Sequence, residues 1–359
     1  MAELLPFDGS WTSREVVLAA LSIAVAALLL ATLAFSAYAI ALRLRHKARD
    51  RIRARFADRW RDRMLLAVSD QDEATALHEN IREDERLHFV GFAVQYARRV
   101  RGEGLDGLRA MVRPYLDQVA LRADSHSVET RARAIQTLGT LGLPEHSARV
   151  IAALDDPSPL VAMVAARALA QEEWPEYAAA VLSRLGRFEG WNRRFLASML
   201  ASMGAQVSAT LRAALADPSG EPGTHAVLAE ALQIQGDPLA GDAAVEVLGS
   251  ATDQDLLASA LRLLHAIGRP DHAAAVRSLC ASRDDVVRAL ALRTLGSVGT
   301  ESDLPSLLAA MEDASPWAAL NAARGVLEAG GGRVLSEIAA SERASAVLAR
   351  QVLSEAGGA

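Results

Sequence analysis

Apolar residues recur along the C-terminal two thirds of the chain with a period of about 31 residues, a length typical of helical-repeat proteins. The repeated position is a leucine, and four residues before it lies another alanine or leucine, which places both side chains on one face of a helix. The seven leucines are Leu138, Leu169, Leu200, Leu232, Leu264, Leu295 and Leu327. A second apolar residue lies 15 or 16 residues after six of these leucines. The pattern therefore predicts seven units, each with two amphipathic helices.

The two helices of each unit are separated by a glycine and a short polar turn. A glycine lies four residues after six of the seven leucines, and Glu173 takes its place in the second unit. Glycine tolerates the left-handed backbone that often ends a helix, so it is predicted to end the first helix. A helical hairpin cannot bury its apolar face alone, whereas stacked hairpins bury a continuous core. We predict an all-α solenoid of about seven hairpins over residues 127–342, numbered here as hairpins 1 to 7.

The N-terminal segment has a different pattern. Residues 16–42 form an unbroken stretch without a charge, which is longer than the roughly 20 residues that a bilayer-spanning helix needs. One basic residue, Arg14, precedes this stretch, and ten follow it within residues 43–63. Because basic flanks stay on the cytoplasmic side, we predict a single-pass anchor in the cytoplasmic membrane. Residues 1–15 would lie outside the cell, and the repeats would lie in the cytosol.

The basic segment 43–63 also carries apolar residues at four-residue spacing, which share one face of a helix. One interpretation is a juxtamembrane helix that contacts anionic lipid or a membrane partner. The other is a flank whose apolar stripe packs against the following helices. The candidate contact residues are Arg43, Arg45, Lys47, Arg49, Arg51, Ile52, Phe56 and Trp60.

The remaining segments fit the period less well. Residues 64–126 are predicted to form a divergent helical cap with helices over residues 82–101 and 105–122, since the ends of stacked repeats are normally atypical. Residues 343–359 are predicted to form a terminal helix and a disordered tail, which begins at residue 354.

The repeat motif resembles the HEAT-repeat family, in the short bacterial version called HEAT-like or PBS-lyase repeats. The resemblance is carried by VETRARAIQTLGTLG at residues 128–142 and DDVVRALALRTLGSVG at residues 284–299. It implies a right-handed superhelix with the first helices on its convex side and the second helices on its concave side. Partner contacts are then expected from the second helices and the connectors.

Composition narrows the possible functions. The 359-residue chain has a net charge of −6 and one cysteine, so it can form neither an internal disulfide nor a cysteine zinc cluster. Residues 127–359 contain 19 Arg and 27 Asp and Glu, a balance of −8. An acidic solenoid is a poor surface for nucleic acid. Arginines on the second helices share no common position in the repeat, so they predict no basic ladder.

Catalytic chemistry has little support in the sequence. The best candidate is HENIREDERLH at residues 78–88, where Glu85 and His88 share a helix face, but di-iron bundles need this pair twice. HEAT-like hydroxylases carry His-Glu pairs in several repeats, and the single pair here, His78-Glu79, lies outside them. We therefore predict a protein that is not an enzyme, with no cofactor, no metal and no small-molecule ligand.

The predicted function is a membrane-anchored cytosolic scaffold or adaptor that binds another, membrane-associated protein. Proteins that resemble this one, with one N-terminal span and HEAT-like repeats, occur in bacterial cell-surface polysaccharide systems beside membrane glycosyltransferases. The resemblance thus implies an accessory subunit of such a system. The alternative is a HEAT-like enzyme, either a lyase or a metal-dependent hydroxylase.

Overall fold

The computed structural model describes residues 13–67, 76–171 and 174–357, and side chains are not described for residues 13–17, 42, 45–58 and 65. Within these ranges the chain is helical and contains no strand. It separates into two compact parts, Met1–Gln118 and Val119–Ala359. The all-α solenoid predicted from the sequence is confirmed.

The first part begins with the long helix α1, Ser13–Ala67. Its segment Leu18–Ala41 is 24 residues long, has a mean hydropathy of 2.5 and is not buried against the rest of the structure, so it is long and apolar enough to cross a membrane. Helices α2 (Arg86–Ala97) and α3 (Glu103–Val112) follow, and α4 (Leu116–Arg122) runs into the second part. The three lie in the cap segment and are shorter than the two helices predicted there.

The second part is a stack of hairpins, each with a first and a second helix. The first helices are α5 (Val128–Leu141), α7 (Pro159–Leu169), α9 (Arg193–Ala201), α11 (Pro222–Gln235), α13 (Gln254–Ile267), α15 (Asp285–Val298) and α17 (Pro316–Glu328). The second helices are α6 (Pro144–Ala152), α8 (Ala178–Leu182), α10 (Ser208–Ala216), α12 (Ala240–Ser250), α14 (Ala273–Leu279), α16 (Leu304–Ala310) and α18 (Gly332–Ala339). Helix α19 (Ala346–Gly357) ends the described chain. It includes residues 354–357, which the sequence assigned to a disordered tail.

The repeated leucines form the core of the stack. Six of the seven are at most 2% exposed, and Leu327 in hairpin 7 is half-buried. Successive first helices pack directly on one another, and small residues permit this close approach. A Cβ atom placed on Gly139 would lie 2.3 Å from the Cβ of Ala168, and one on Gly296 would lie 2.4 Å from the Cα of Gly325. The alanine-rich composition therefore serves packing between hairpins as well as helix propensity.

The glycines after the leucines act in two different ways. Gly142 and Gly236 have φ values of 63° and 65° and end α5 and α11 in the predicted left-handed conformation. Gly268 and Gly299 have negative φ, so this explanation is wrong for them. A Cβ on either would lie within 2.4 Å of a carbonyl oxygen in the last turn of the preceding helix. These two positions need glycine because any side chain would collide with the preceding helix.

Candidate interaction surface

The solenoid exposes apolar side chains where its first helices begin. Val286 and Trp317 are one repeat apart, each in the first turn of its helix, and are 47% and 48% exposed. Val128, Leu160 and Phe195 are exposed in the first turns of α5, α7 and α9. Four of them lie nine or ten residues before the repeated leucine of their hairpin, and Phe195 lies five before it, so all five flank the starts of first helices in hairpins 1, 2, 3, 6 and 7. These five residues are here called the apolar edge.

A groove of about 420 Å³ opens on this edge at hairpins 3 to 5. Trp191 lines it and stacks on Phe195, with ring centroids 6.1 Å apart and an interplanar angle of 28°. Asn192 begins α9 by accepting a hydrogen bond from the backbone N–H of Phe195 at 3.1 Å, which holds the two aromatic residues around the start of the helix. Leu196 and Val227 add apolar surface to the groove.

Carboxylates surround the aromatic wall. Glu189, Asp253 and Asp255 line the groove, and the carboxyl group of Glu221 lies within hydrogen-bonding distance of Glu189. The contact with Glu221 raises the pKa of Glu189, first through the hydrogen bond that the protonated group can make and then through like-charge repulsion. The local charge is therefore strongly negative.

One basic residue, Arg193, stands among the described residues that line this groove. Its Nε is 3.6 Å from Glu230 Oε2 and its Nη1 is 3.8 Å from Asp255 Oδ2. These distances allow attraction, but they exceed those of a direct hydrogen bond. Arg193 therefore leaves most of the negative charge of the groove uncompensated.

A second cavity of about 290 Å³ adjoins the groove and shares Pro222 and Asp253 with it. His225 lines this cavity and is 6% exposed. Burial lowers its pKa, against the opposing effects of Asp217 and a hydrogen bond to the backbone of Ala214. Its Nε2 is buried without a hydrogen-bond partner in the described structure. This nitrogen lies against Gly220, where an added Cβ would be 2.1 Å from it, so it faces the chain itself and not the groove.

The juxtamembrane candidates fall into three groups. Arg43 is exposed on α1. Arg45, Lys47, Arg49, Arg51, Ile52 and Phe56 have their backbone in α1, but their side chains lie outside the described part of the structure. Trp60 is 1% exposed and packs edge-on to Phe89 at 5.3 Å and on Phe92 at 6.0 Å. Trp60 therefore packs against the following helices, as expected if the apolar stripe of segment 43–63 is a packed flank. Contact of the other residues with lipid or a partner stays a prediction.

Arginines in or just after the second helices bind aspartates in neighbouring connectors and hairpin turns. The pairs are Arg149 with Asp124, Arg184 with Asp155, Arg212 with Asp237 and Arg277 with Asp303. Because each guanidinium is engaged by a carboxylate, these side chains hold the stack together instead of forming a free basic surface. Sequence reasoning missed these partners because it examined the arginines without the connectors.

The candidate metal ligands in residues 78–88 contact different partners. Glu85 accepts a hydrogen bond from Arg59 at 3.1 Å, and His78 Nδ1 lies 2.6 Å from the hydroxyl of Tyr115. Across the described ranges, no group of three or more His, Cys, Asp and Glu side chains is placed to hold a metal ion. The metal-dependent alternative gains no support from these residues.

Comparison with known proteins finds similarity to one repeat family. A family model described as HEAT repeats matches residues 116–188 and 241–328. No curated protein matches the chain significantly. Among solved structures, one crystal structure of an engineered protein is 18% identical and covers 81% of this chain and 82% of its own, with a TM-score of 0.27. Another engineered protein is 21% identical and covers 67% of this chain and 95% of its own, with a TM-score of 0.20. The HEAT-repeat match is in accord with a protein-interaction scaffold.

Proposed function

We propose that this protein is a membrane-anchored scaffold whose HEAT-repeat solenoid binds another protein of the same membrane. One observation carries the proposal: an exposed apolar helix of 24 residues precedes a stack of hairpins that has an apolar edge and an acidic groove. Exposed apolar side chains at an edge of this kind are common in protein interaction sites. Tethering the stack to the bilayer raises its effective concentration for membrane partners without any new contact.

The proposed topology places the N-terminus outside the cell and the repeats in the cytosol of a bacterial cell. The support is the charge difference across the apolar helix, with Arg14 before it and ten basic residues after it within residues 43–63. Green fluorescent protein fused after Ala359 should fluoresce at the cell periphery, whereas alkaline phosphatase fused there should be inactive. Active phosphatase, or a mature protein cleaved near residue 42, would contradict the anchor and its orientation.

A finer form of the proposal makes the protein an accessory subunit of a membrane-bound cell-surface polysaccharide system. Its support is the resemblance in domain arrangement, with one apolar helix ahead of HEAT-like repeats. The full-length protein should be crosslinked in native membranes, purified in mild detergent and analysed by mass spectrometry. A membrane glycosyltransferase should be enriched relative to a control lacking residues 127–342. Recovery of soluble metabolic enzymes alone would count against the scaffold.

A further inference from the structure

The groove on the apolar edge joins two kinds of surface that a basic peptide needs. Its aromatic wall is Trp191, which lines the groove, is half-buried and stacks on Phe195. Carboxylates stand around this wall, and Glu189 and Glu221 are both exposed. A guanidinium can stack on an aromatic face and bind a carboxylate through two parallel hydrogen bonds at the same time.

The carboxyl pair has no cation of its own. Glu189 and Glu221 have no ion pair with a basic side chain in the described structure, although they lie close enough to hydrogen-bond when one is protonated. Arg193, the nearby base, is turned towards Glu230 and Asp255. Two carboxylates held together in this way repel each other, and a cation bound between them would remove the repulsion.

We propose that this groove, lined by Trp191, Asp253 and Asp255 and bordered by the Glu189–Glu221 pair, docks an arginine-bearing basic segment next to a transmembrane helix of the partner protein. This inference rests on the proposed function, because cytosolic segments beside membrane spans are rich in arginine and lysine. An acidic, aromatic groove on a solenoid tethered to the same membrane is complementary to such a segment. Arginine is favoured over lysine because its planar guanidinium stacks on tryptophan and pairs with carboxylates in a fixed geometry.

Peptide binding by the full chain tests the proposal. The protein is reconstituted in nanodiscs of zwitterionic lipid, so that the membrane does not attract the probe, and titrated against fluorescein-labelled hexa-arginine and hexa-lysine by fluorescence anisotropy. We expect hexa-arginine to bind more tightly than hexa-lysine. The double variant Glu189→Gln/Glu221→Gln should raise the Kd for hexa-arginine about tenfold. Trp191→Leu should weaken binding of hexa-arginine more than that of hexa-lysine.

The matched control is Glu312→Gln/Glu342→Gln, which removes the same charge from two exposed glutamates elsewhere in the stack. It should change the Kd less than twofold. Equal effects of the two double variants would show only general charge attraction and would overturn the docking site. Equal binding of both peptides, unchanged by Trp191→Leu, would also overturn it, since the groove would then attract any cation.

The outcomes separate this inference from the proposed function. Peptide binding does not depend on the identity of the natural partner, whereas the crosslinking experiment does. If the glycosyltransferase is still recovered with Glu189→Gln/Glu221→Gln while the parent binds no peptide, the scaffold stands and the groove is wrong. If the groove binds hexa-arginine selectively but no membrane protein is recovered, the scaffold proposal fails.

Discussion

Arg288 donates hydrogen bonds from Nε and Nη2 to the two carboxylate oxygens of Asp313, at 2.8 and 3.0 Å, across the boundary between hairpins 6 and 7. Arg131 and Asp156 form the same pair at the boundary between hairpins 1 and 2, at 2.8 and 2.9 Å. In both copies the aspartate also accepts a hydrogen bond from the backbone N–H two residues further on. One carboxylate therefore joins two hairpins and orders the start of the next first helix.

Arg288→Met should destabilise the solenoid. The side chains of Arg288 and Asp313 are 15% and 17% exposed, so removal of the arginine leaves a largely buried carboxylate without its partner. Lost hydrogen bonds to charged groups cost about 1.5–3 kcal/mol, and we expect a loss of this size in the free energy of unfolding. Urea denaturation followed by circular dichroism measures it. The control is Arg333→Met, whose side chain is 92% exposed. An equally small effect of both variants would show that the pair contributes little.

Acid should weaken the stack through its paired aspartates. Hydrogen bonds from Arg131, Arg277 and Arg288 lower the pKa of Asp156, Asp303 and Asp313 respectively. A carboxyl group whose folded-state pKa is depressed stabilises the fold fully above its unfolded pKa of about 3.9 and loses this contribution as the pH falls towards the folded value.

The thermal midpoint should therefore fall as the pH is lowered from about 4 to about 2. It should fall less in Arg288→Met than in the parent, because the variant has already lost one of these pairs. A midpoint that stays constant across this range, or the same decrease in both proteins, would contradict the role of the aspartates.

Gly296→Ala should disrupt the contact between α15 and α17. The new methyl group would lie 2.4 Å from both the Cα and the carbonyl oxygen of Gly325, so the backbone must move. Overpacking of this kind costs about 1–3 kcal/mol. The control is Gly249→Ala in α12, where no atom lies within 4 Å of the added Cβ. That change should stabilise by up to about 1 kcal/mol through helix propensity. Equal urea midpoints for the two variants would refute the close contact.

Trp60→Ala should destabilise the cap of the first part. Its ring is 1% exposed between Phe89 and Phe92, and truncation of a buried tryptophan costs about 3–5 kcal/mol. Limited proteolysis of the full chain should then cut within residues 76–118 before it cuts the repeats. Arg43→Gln, at an exposed position, is the control and should leave the protease pattern unchanged. Unaltered resistance of Trp60→Ala would show that the ring is not a core residue.

Cys280 should react slowly with thiol reagents in the folded protein. Burial raises its pKa to about 12, so at pH 8 the reactive thiolate is rare. A disulfide reagent should modify Cys280 much faster in urea than in buffer. Equally rapid modification under both conditions would show an accessible, activated thiol.

The place of each repeated leucine in its hairpin could be predicted from the sequence. Helical periodicity is local, so the spacing of Leu138, Leu169 and their equivalents predicts hairpins that stack, and burial of six of the seven leucines bears this out. The length of the apolar N-terminal helix was evident in the same way. The terminal helix was underestimated, because Glu355 accepts hydrogen bonds from Arg324 of α17, a contact that composition does not reveal.

The candidate groove could not be predicted from the sequence. Nothing linked Glu189 to Glu221, which lies a whole repeat further along the chain. Their meeting depends on how far each hairpin is rotated and shifted against the next.

By itself, the sequence determined the repeat length, the helical hairpin and the apolar helix before it, because each follows from the spacing of apolar residues within one or two helices. Only the tertiary structure decided which charges meet. Arg149 turns back to Asp124, whereas Arg131 reaches forward to Asp156. Arginines of the same hairpin thus find partners in opposite directions, because contacts between hairpins depend on the distance and orientation of whole helices, which no local pattern encodes.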